Sequence, residues 1–204
     1  MLVRHGHVPG IEPERFRGRA DLPLTELGVQ QAHATAAAIH ARWQPVRVYS
    51  SPLQRCVVTG QLIADACGVE RQSCRELIDL DYGSWQGKSH EEVRRSSPTE
   101  YQRWMDAPEL HRFPSGESLP ILAARISEAL RVVLDAHAMQ TVVLVGHDSG
   151  NRALLLQALG LPLRAYRRIR QDPCGLSEFV IANGAIDVQR VNETAHLLGS
   201  PDRH

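Results

Sequence analysis

The 204-residue chain is almost without lysine: among its 23 Lys and Arg residues only Lys88 is a lysine. The bias reads as compositional habit, but it means that almost every fixed cation is a planar guanidinium fork rather than a point charge. Net charge is missing as well, because 23 Asp and Glu offset the 23 basic residues. No overall field therefore draws the molecule to nucleic acid or to an anionic membrane, and any anion site must be a local cluster. Cysteine is scarce. Cys56, Cys67, Cys74 and Cys174 form no C-x-x-C pair and have no histidine at metal-ligand spacing. That excludes a disulfide scaffold and a zinc ribbon, and leaves buried or incidental thiols of a reducing compartment. No apolar run reaches membrane-spanning length, and Met1-Leu2-Val3 is too short for the core of a secretory signal, so the expected address is the cytoplasm. Internal repeats and low-complexity segments are absent. What is present is ordinary globular composition, 43% hydrophobic and 23% charged, at a length suited to a single domain over 1–204.

The apolar triplet Met1-Leu2-Val3 runs directly into Arg4-His5-Gly6-His7, which reads as the end of a buried strand. Thr25 caps an expected helix from about Glu26 to Trp43, with Leu27, Val29, Ala32, Ala36, Ile39 and Ala41 on its apolar side. A strand is expected over Val46–Ser51. Ser51-Pro52 then reads as the cap and first turn of a helix reaching Ala66, with Gly68 just past its end. A helix from about Ser118 to Ala138 precedes the continuous apolar strand Thr141–Gly146, which is covered on both faces. Another helix is expected from about Gly150 to Leu159. In the tail, Asn183-Gly184 marks a hairpin turn. Strands alternating with helices predict an α/β fold: a three-layer α/β/α sandwich whose central sheet is mostly parallel and antiparallel at one edge. Residues 83–118 look like a lid excursion above the sheet, with short helical pieces around Glu91–Arg95 and Glu100–Met105.

Ligands bind at the carboxyl edge of a parallel sheet, where strand ends meet helix starts. Arg4 and His5 follow the first strand, Arg55 lies in the first turn after the second, and His147 follows the strand at Thr141. Two arginines, two histidines and helix N-termini on one edge make an anion pocket whose natural guest is phosphate.

The motifs "RHG" at Arg4, "DLPLTELGVQQA" at Asp21–Ala32, "SSPLQRCVVT" at Ser50–Thr59, "DYGSWQG" at Asp81–Gly87, "SGES" at Ser115–Ser118 and "GHDSGNR" at Gly146–Arg152 occur in an order and spacing that resemble the histidine phosphatase superfamily, the phosphoglycerate mutase-like proteins. The resemblance implies that fold and a phosphomonoesterase working through a phosphohistidine on a small phosphorylated metabolite. His5 is implied as nucleophile, with Arg4, Arg55 and His147 clamping the phosphate oxygens and Arg15 assisting from the "RFRG" loop. The family glutamate that acts as general acid falls on Asp79, one methylene shorter, with Asp81 and Asp148 as alternatives. No metal or other cofactor is implied, since the arginines supply the cationic clamp. The expected partner is the metabolite alone, without nucleic acid or membrane, on a monomer or homodimer.

The sequence also departs from the family pattern. His7, Val8 and Ile11 stand where Glu, Thr or Ser, and Asn are usual, and Asp148 stands where a glycine often follows the second histidine. Family members start several residues earlier, so a start upstream of Met1 is expected. Two further readings compete. A cofactor-dependent phosphoglycerate mutase would retain its phosphohistidine, but the segment between Gly87 and Gly116 is short for a mutase lid, and His90 stands where a mutase lysine is expected. A non-catalytic phosphate-binding module is suggested by Asp79 and Ile11. The remaining histidines, His7, His33, His40, His90, His111, His137, His196 and His204, read as packed or solvated side chains. Trp85 is open between lid packing and substrate contact, and Arg94 and Arg95 between a solvated helix face and a grip on a second anion.

Overall fold

The computed structural model describes residues 1–198, so His204 lies outside the described residues. Six strands form one sheet in the order β3-β2-β4-β1-β5-β6. β1 (Leu2–Arg4), β2 (Arg47–Ser50), β3 (Arg71–Ser73) and β4 (Val142–Gly146) run parallel, while β5 (Leu176–Ala182) and β6 (Ala185–Glu193) add an antiparallel hairpin at one edge. The expected sandwich is present. Strand alternation divides the apolar residues between two faces. Val3, Val48, Val143 and Val145 pack with Ala36, Ile39, Ile63 and Ala64 of α1 (Glu26–Arg42) and α2 (Gln54–Cys67). Leu2, Tyr49 and Leu144 pack on the other face with Leu122, Ala123 and Ile126 of α5 (Leu119–Ala136) and Leu154 and Leu155 of α6 (Asp148–Ala158). β1 has only three residues, but it lies between β4 and β5, so both of its edges are hydrogen-bonded.

Local signals set most boundaries. The Thr25 hydroxyl accepts the Gly28 N–H at 3.1 Å and starts α1 as expected. Gly68 closes α2 in the left-handed conformation, at φ 67°. Asn183 and Gly184, at φ 53° and 77°, turn the β5–β6 hairpin. Two expectations need correction. Ser51 does not cap α2, which begins at Gln54 after Leu53; the Ser51 hydroxyl is drawn to His147 instead. Likewise α6 begins at Asp148, two residues before the expected Gly150, with His147 at its N-cap.

The lid region contains α3 (His90–Ser96) and α4 (Pro98–Asp106), close to the expected helical pieces. It is a packed unit rather than a loose flap. Trp85, Trp104 and Phe113 are buried together, with Trp85–Phe113 and Trp104–Phe113 ring centroids at 5.2 and 4.9 Å. Trp85 therefore serves lid packing. Among the described residues, no helix is long and apolar enough to cross a membrane.

Candidate active site

The parallel register places the ends of β1, β4 and β2 side by side: Arg4 is level with Gly146, and Ser50 with Val145. The next residues, His5, His147 and Ser51, meet at this edge. Gly6 lets the chain turn away at once, because a side chain there would collide with the Gly28 carbonyl at the start of α1. The His5 and His147 rings stand 5.3 Å apart, inclined by 62°.

The partners of the two imidazoles fix opposite tautomers. A carbonyl can only accept, so the 2.7 Å contact between His5 Nδ1 and Gly6 O requires the proton on Nδ1. The Nε2 lone pair is then free, and no hydrogen bond occupies it among the described residues. An arginine can only donate, so Arg55 Nε–H at 3.2 Å makes His147 Nδ1 an acceptor, and His147 Nε2–H donates to Ser51 Oγ at 2.8 Å. Burial, reinforced by Arg55 and Arg4, holds both histidines well below their usual pKa of 6.5. Both rings are neutral at physiological pH. Cys56 lies 3.4 Å from His147 Nε2, and burial pushes its thiol pKa up, so it is an inert neighbour.

Arg55 is completely buried, yet its fork is largely engaged by its own chain. Nη1 donates to Ala20 O at 2.6 Å, Nη2 to Gly18 O at 2.7 Å, and Nη2 reaches the Asp79 carboxylate at 3.4 Å. These contacts join the 18–20 loop, His147 and Asp79 through one guanidinium. Arg4 donates to Gln171 O, lies 3.8 Å from Asp148, and keeps a buried Nε without a partner.

Asp79 lies 3.8 Å from His147 Nδ1, and it lines the recess that opens above the strand ends. Burial raises its pKa, and the opposing pull of Arg55 does not cancel the effect. The two alternative carboxylates have arginine partners of their own. Asp81 pairs with Arg19 at 3.1 Å and accepts the Gly83 N–H. Asp148 pairs with Arg152 at 3.0 Å, which compensates the charge it brings beside the site.

Arg15 does not reach the strand ends. It sits at the rim, donating to Gly87 O at 3.0 Å and lying 3.4 Å from Glu92. The residue that comes inward from the same loop is Arg17, which had no place in the reading of the sequence. It lines the recess with Tyr82, Ser149, Arg152, Tyr166 and Arg167, and its charge bears on Arg4, Asp79 and His147. The spacing Arg15-Phe16-Arg17 held the signal, since the buried Phe16 anchors the loop between two candidate arginines. Arg152 was legible too, four residues after Asp148 on one helix face. His7 turns from the site to Thr25 Oγ at 3.0 Å. Arg94 faces a separate groove with Tyr101 and Gln102 on the outside of the lid.

Comparison with known proteins adds independent findings. Residues 1–194 match the model of the histidine phosphatase superfamily (branch 1). The chain is 32% identical over 197 residues to phosphoserine phosphatase 1 of Hydrogenobacter thermophilus, covering 97% of this chain and 93% of that one. It is 33% identical over 203 residues to a Yersinia pestis protein named "Probable phosphoglycerate mutase GpmB", covering 96% and 93%. Among solved structures it resembles Entamoeba histolytica phosphoserine phosphatase in complex with 3-phosphoglyceric acid, at TM-score 0.86 and 25% identity over 97% of this chain and 98% of that one.

Proposed function

The chain belongs to the histidine phosphatase superfamily, and from that membership we propose that it is a phosphomonoester hydrolase acting on a small phosphorylated metabolite through a phosphohistidine at His5. The observation that carries the reading is the His5 tautomer. A buried, neutral imidazole with its proton tied to Gly6 O keeps an unprotonated Nε2 that no hydrogen bond occupies among the described residues. Nucleophilic catalysis needs that form. Nε2 attacks phosphorus, and the bond to the ester oxygen breaks with its electron pair staying on oxygen. Asp79, whose raised pKa keeps more of it protonated than an exposed carboxyl, gives that oxygen its proton. Water then attacks the phosphohistidine while Asp79 takes the proton back, releasing inorganic phosphate and restoring His5.

Arg4 and Arg17 stabilise the equatorial oxygens, His147 joins them by redirecting its Nε2–H from Ser51 Oγ, and Arg55 acts through His147 and Asp79. The names of two relatives support the hydrolase reading: both are phosphoserine phosphatases. Another is named as a mutase, so the decisive experiment offers both outcomes. Purified protein incubated with a labelled phosphomonoester and quenched in alkali is expected to yield an acid-labile phosphoenzyme that is absent from His5→Ala. With 3-phosphoglycerate the expected product is inorganic phosphate. Accumulation of 2-phosphoglycerate without phosphate would establish a mutase, and no phosphoenzyme with any ester would establish a binding module.

A further inference from the structure

The recess over Asp79 carries more cation than one phosphoryl group requires, and the surplus is unevenly placed. Four arginines line it: Arg15, Arg17, Arg152 and Arg167. Arg15 is paired with Glu92 and Arg152 with Asp148. Arg17 and Arg167 have no carboxylate at ion-pair distance among the described residues; their polar contacts are to backbone carbonyls, Gly10 for Arg17 and Trp104 and Met105 for Arg167.

These two arginines come from different segments. Arg17 is half-buried on the 12–20 loop, and Arg167 is exposed on the 163–168 turn, lining the recess with Arg152 and Tyr166. Arg167 is also held in place. Its guanidinium lies 4.6 Å from the centroid of the buried Trp104 ring, and Nη2 donates to Trp104 O at 2.7 Å. One face and one edge of the fork are thereby fixed, and Nη1 has no hydrogen-bond partner among the described residues. A preorganised guanidinium lacking its acid is a site for a planar anion, with little ordering entropy left to lose on binding. Once Arg4 and Arg17 face the phosphoryl group, a single positive charge remains, which matches a carboxylate better than a second phosphate.

We propose that Arg167, presented by the 163–168 turn and backed by Trp104, binds a carboxylate on the substrate, so that the enzyme selects phosphorylated carboxylic acids over esters with neutral tails. The proposal rests on the phosphatase reading above and names the substrate class of the same site.

The test uses 3-phosphoglycerate and glycerol 3-phosphate, which differ in a carboxylate against a hydroxymethyl group. Wild type is expected to show a kcat/KM ratio of about 10-fold or more in favour of the acid, as befits one charge-assisted contact. Arg167→Met should bring the ratio close to one, chiefly by lowering kcat/KM for the acid, and Arg167→Lys should fall between. Arg17→Met should slow both esters alike. Equal wild-type rates, or a ratio that survives Arg167→Met, would overturn the proposal. Calorimetric binding of the two esters to His5→Ala separates this claim from the hydrolase reading. Preference for the acid in binding, without hydrolysis by wild type, keeps the carboxylate site and rejects the phosphatase; hydrolysis without preference does the reverse.

Discussion

Arg55 at the floor of the recess and Arg167 on its wall carry the same guanidinium in opposite circumstances. Arg55 is fully buried and committed to Gly18, Ala20, Asp79 and His147. Arg167 rests on an indole with an edge of its fork open. The contrast extends to their neighbours. Floor residues come from the ends of β1 and β4, from the first turn of α2 and from the loop that holds Asp79, all packed against the sheet. Wall residues come from the 12–20 loop, the lid and the 163–168 turn, where a change of side chain disturbs less of the core. A buried guanidinium has to satisfy its own donors before it can serve a ligand, because an unmatched buried donor costs about 1–3 kcal/mol. On the proposed function, the reaction centres on the floor and Arg167 on the wall selects the substrate.

The largest expected effect breaks the floor at its centre. His5→Ala should lower kcat by roughly 10³-fold or more with every ester while the circular dichroism spectrum is retained, since no other group can replace the nucleophile. Residual activity above a few per cent would move the nucleophile elsewhere. Arg55→Lys keeps the charge but cannot span two carbonyls, His147 and Asp79 together. A loss of about 10²-fold in kcat/KM is expected. A fall in melting temperature should accompany it, and normal kinetics would show that the brace is dispensable.

Asp79→Asn sharpens the comparison by asking whether the floor supplies the proton. For an alkyl phosphate, kcat/KM should fall about 10²-fold or more, and for an aryl phosphate with a stable phenolate leaving group much less. Since the Asp79 pKa is raised, the wild-type alkyl rate should also decline as pH rises through that value. Equal losses on both esters would take proton transfer away from Asp79.

The smallest effect concerns stability in acid. His5 and His147 have folded pKa values below the 6.5 of the free side chain, so below that pH the unfolded chain binds more protons than the folded one. Stability should be full above about pH 6.5 and decline as pH falls through it, measured as melting temperature against pH. His5→Gln should flatten that decline and Arg167→Met should leave it unchanged. An identical slope in His5→Gln would mean that the buried histidine does not titrate in this window.

Much of the floor was legible because periodicity and topology act together. Leu2 and Val3 point to opposite faces, the run at 142–146 is apolar on both, and a parallel sheet must bring Arg4, His5 and His147 to one edge whatever their separation in sequence. Thr25, Gly68 and Asn183-Gly184 carry their boundaries in local chemistry. Ser51 shows the limit of such signals. A serine before a proline has a cap's local pattern, yet its hydroxyl found His147, 96 positions away. Local propensity cannot weigh a partner that only the fold brings near.

Local pattern along the chain was enough to place the order of elements, the carboxyl edge of the sheet and the residue types that stand there. Tertiary structure decided what each of those residues was free to do. Arg15 and Arg17 stand two positions apart on one loop, and the family resemblance singled out Arg15 alone. In the fold, Glu92 and Gly87 hold Arg15 at the rim, while Arg17 is half-buried and lines the recess with Asp79. Among Asp79, Asp81 and Asp148, the family resemblance put Asp79 first and left the other two as alternatives. Packing buries Asp79 enough to raise its pKa and gives Asp81 to Arg19 and Asp148 to Arg152. Hydrogen-bond partners and desolvation are properties of three-dimensional neighbourhood, and a side chain's protonation state and spare valence follow from them rather than from its place in the chain.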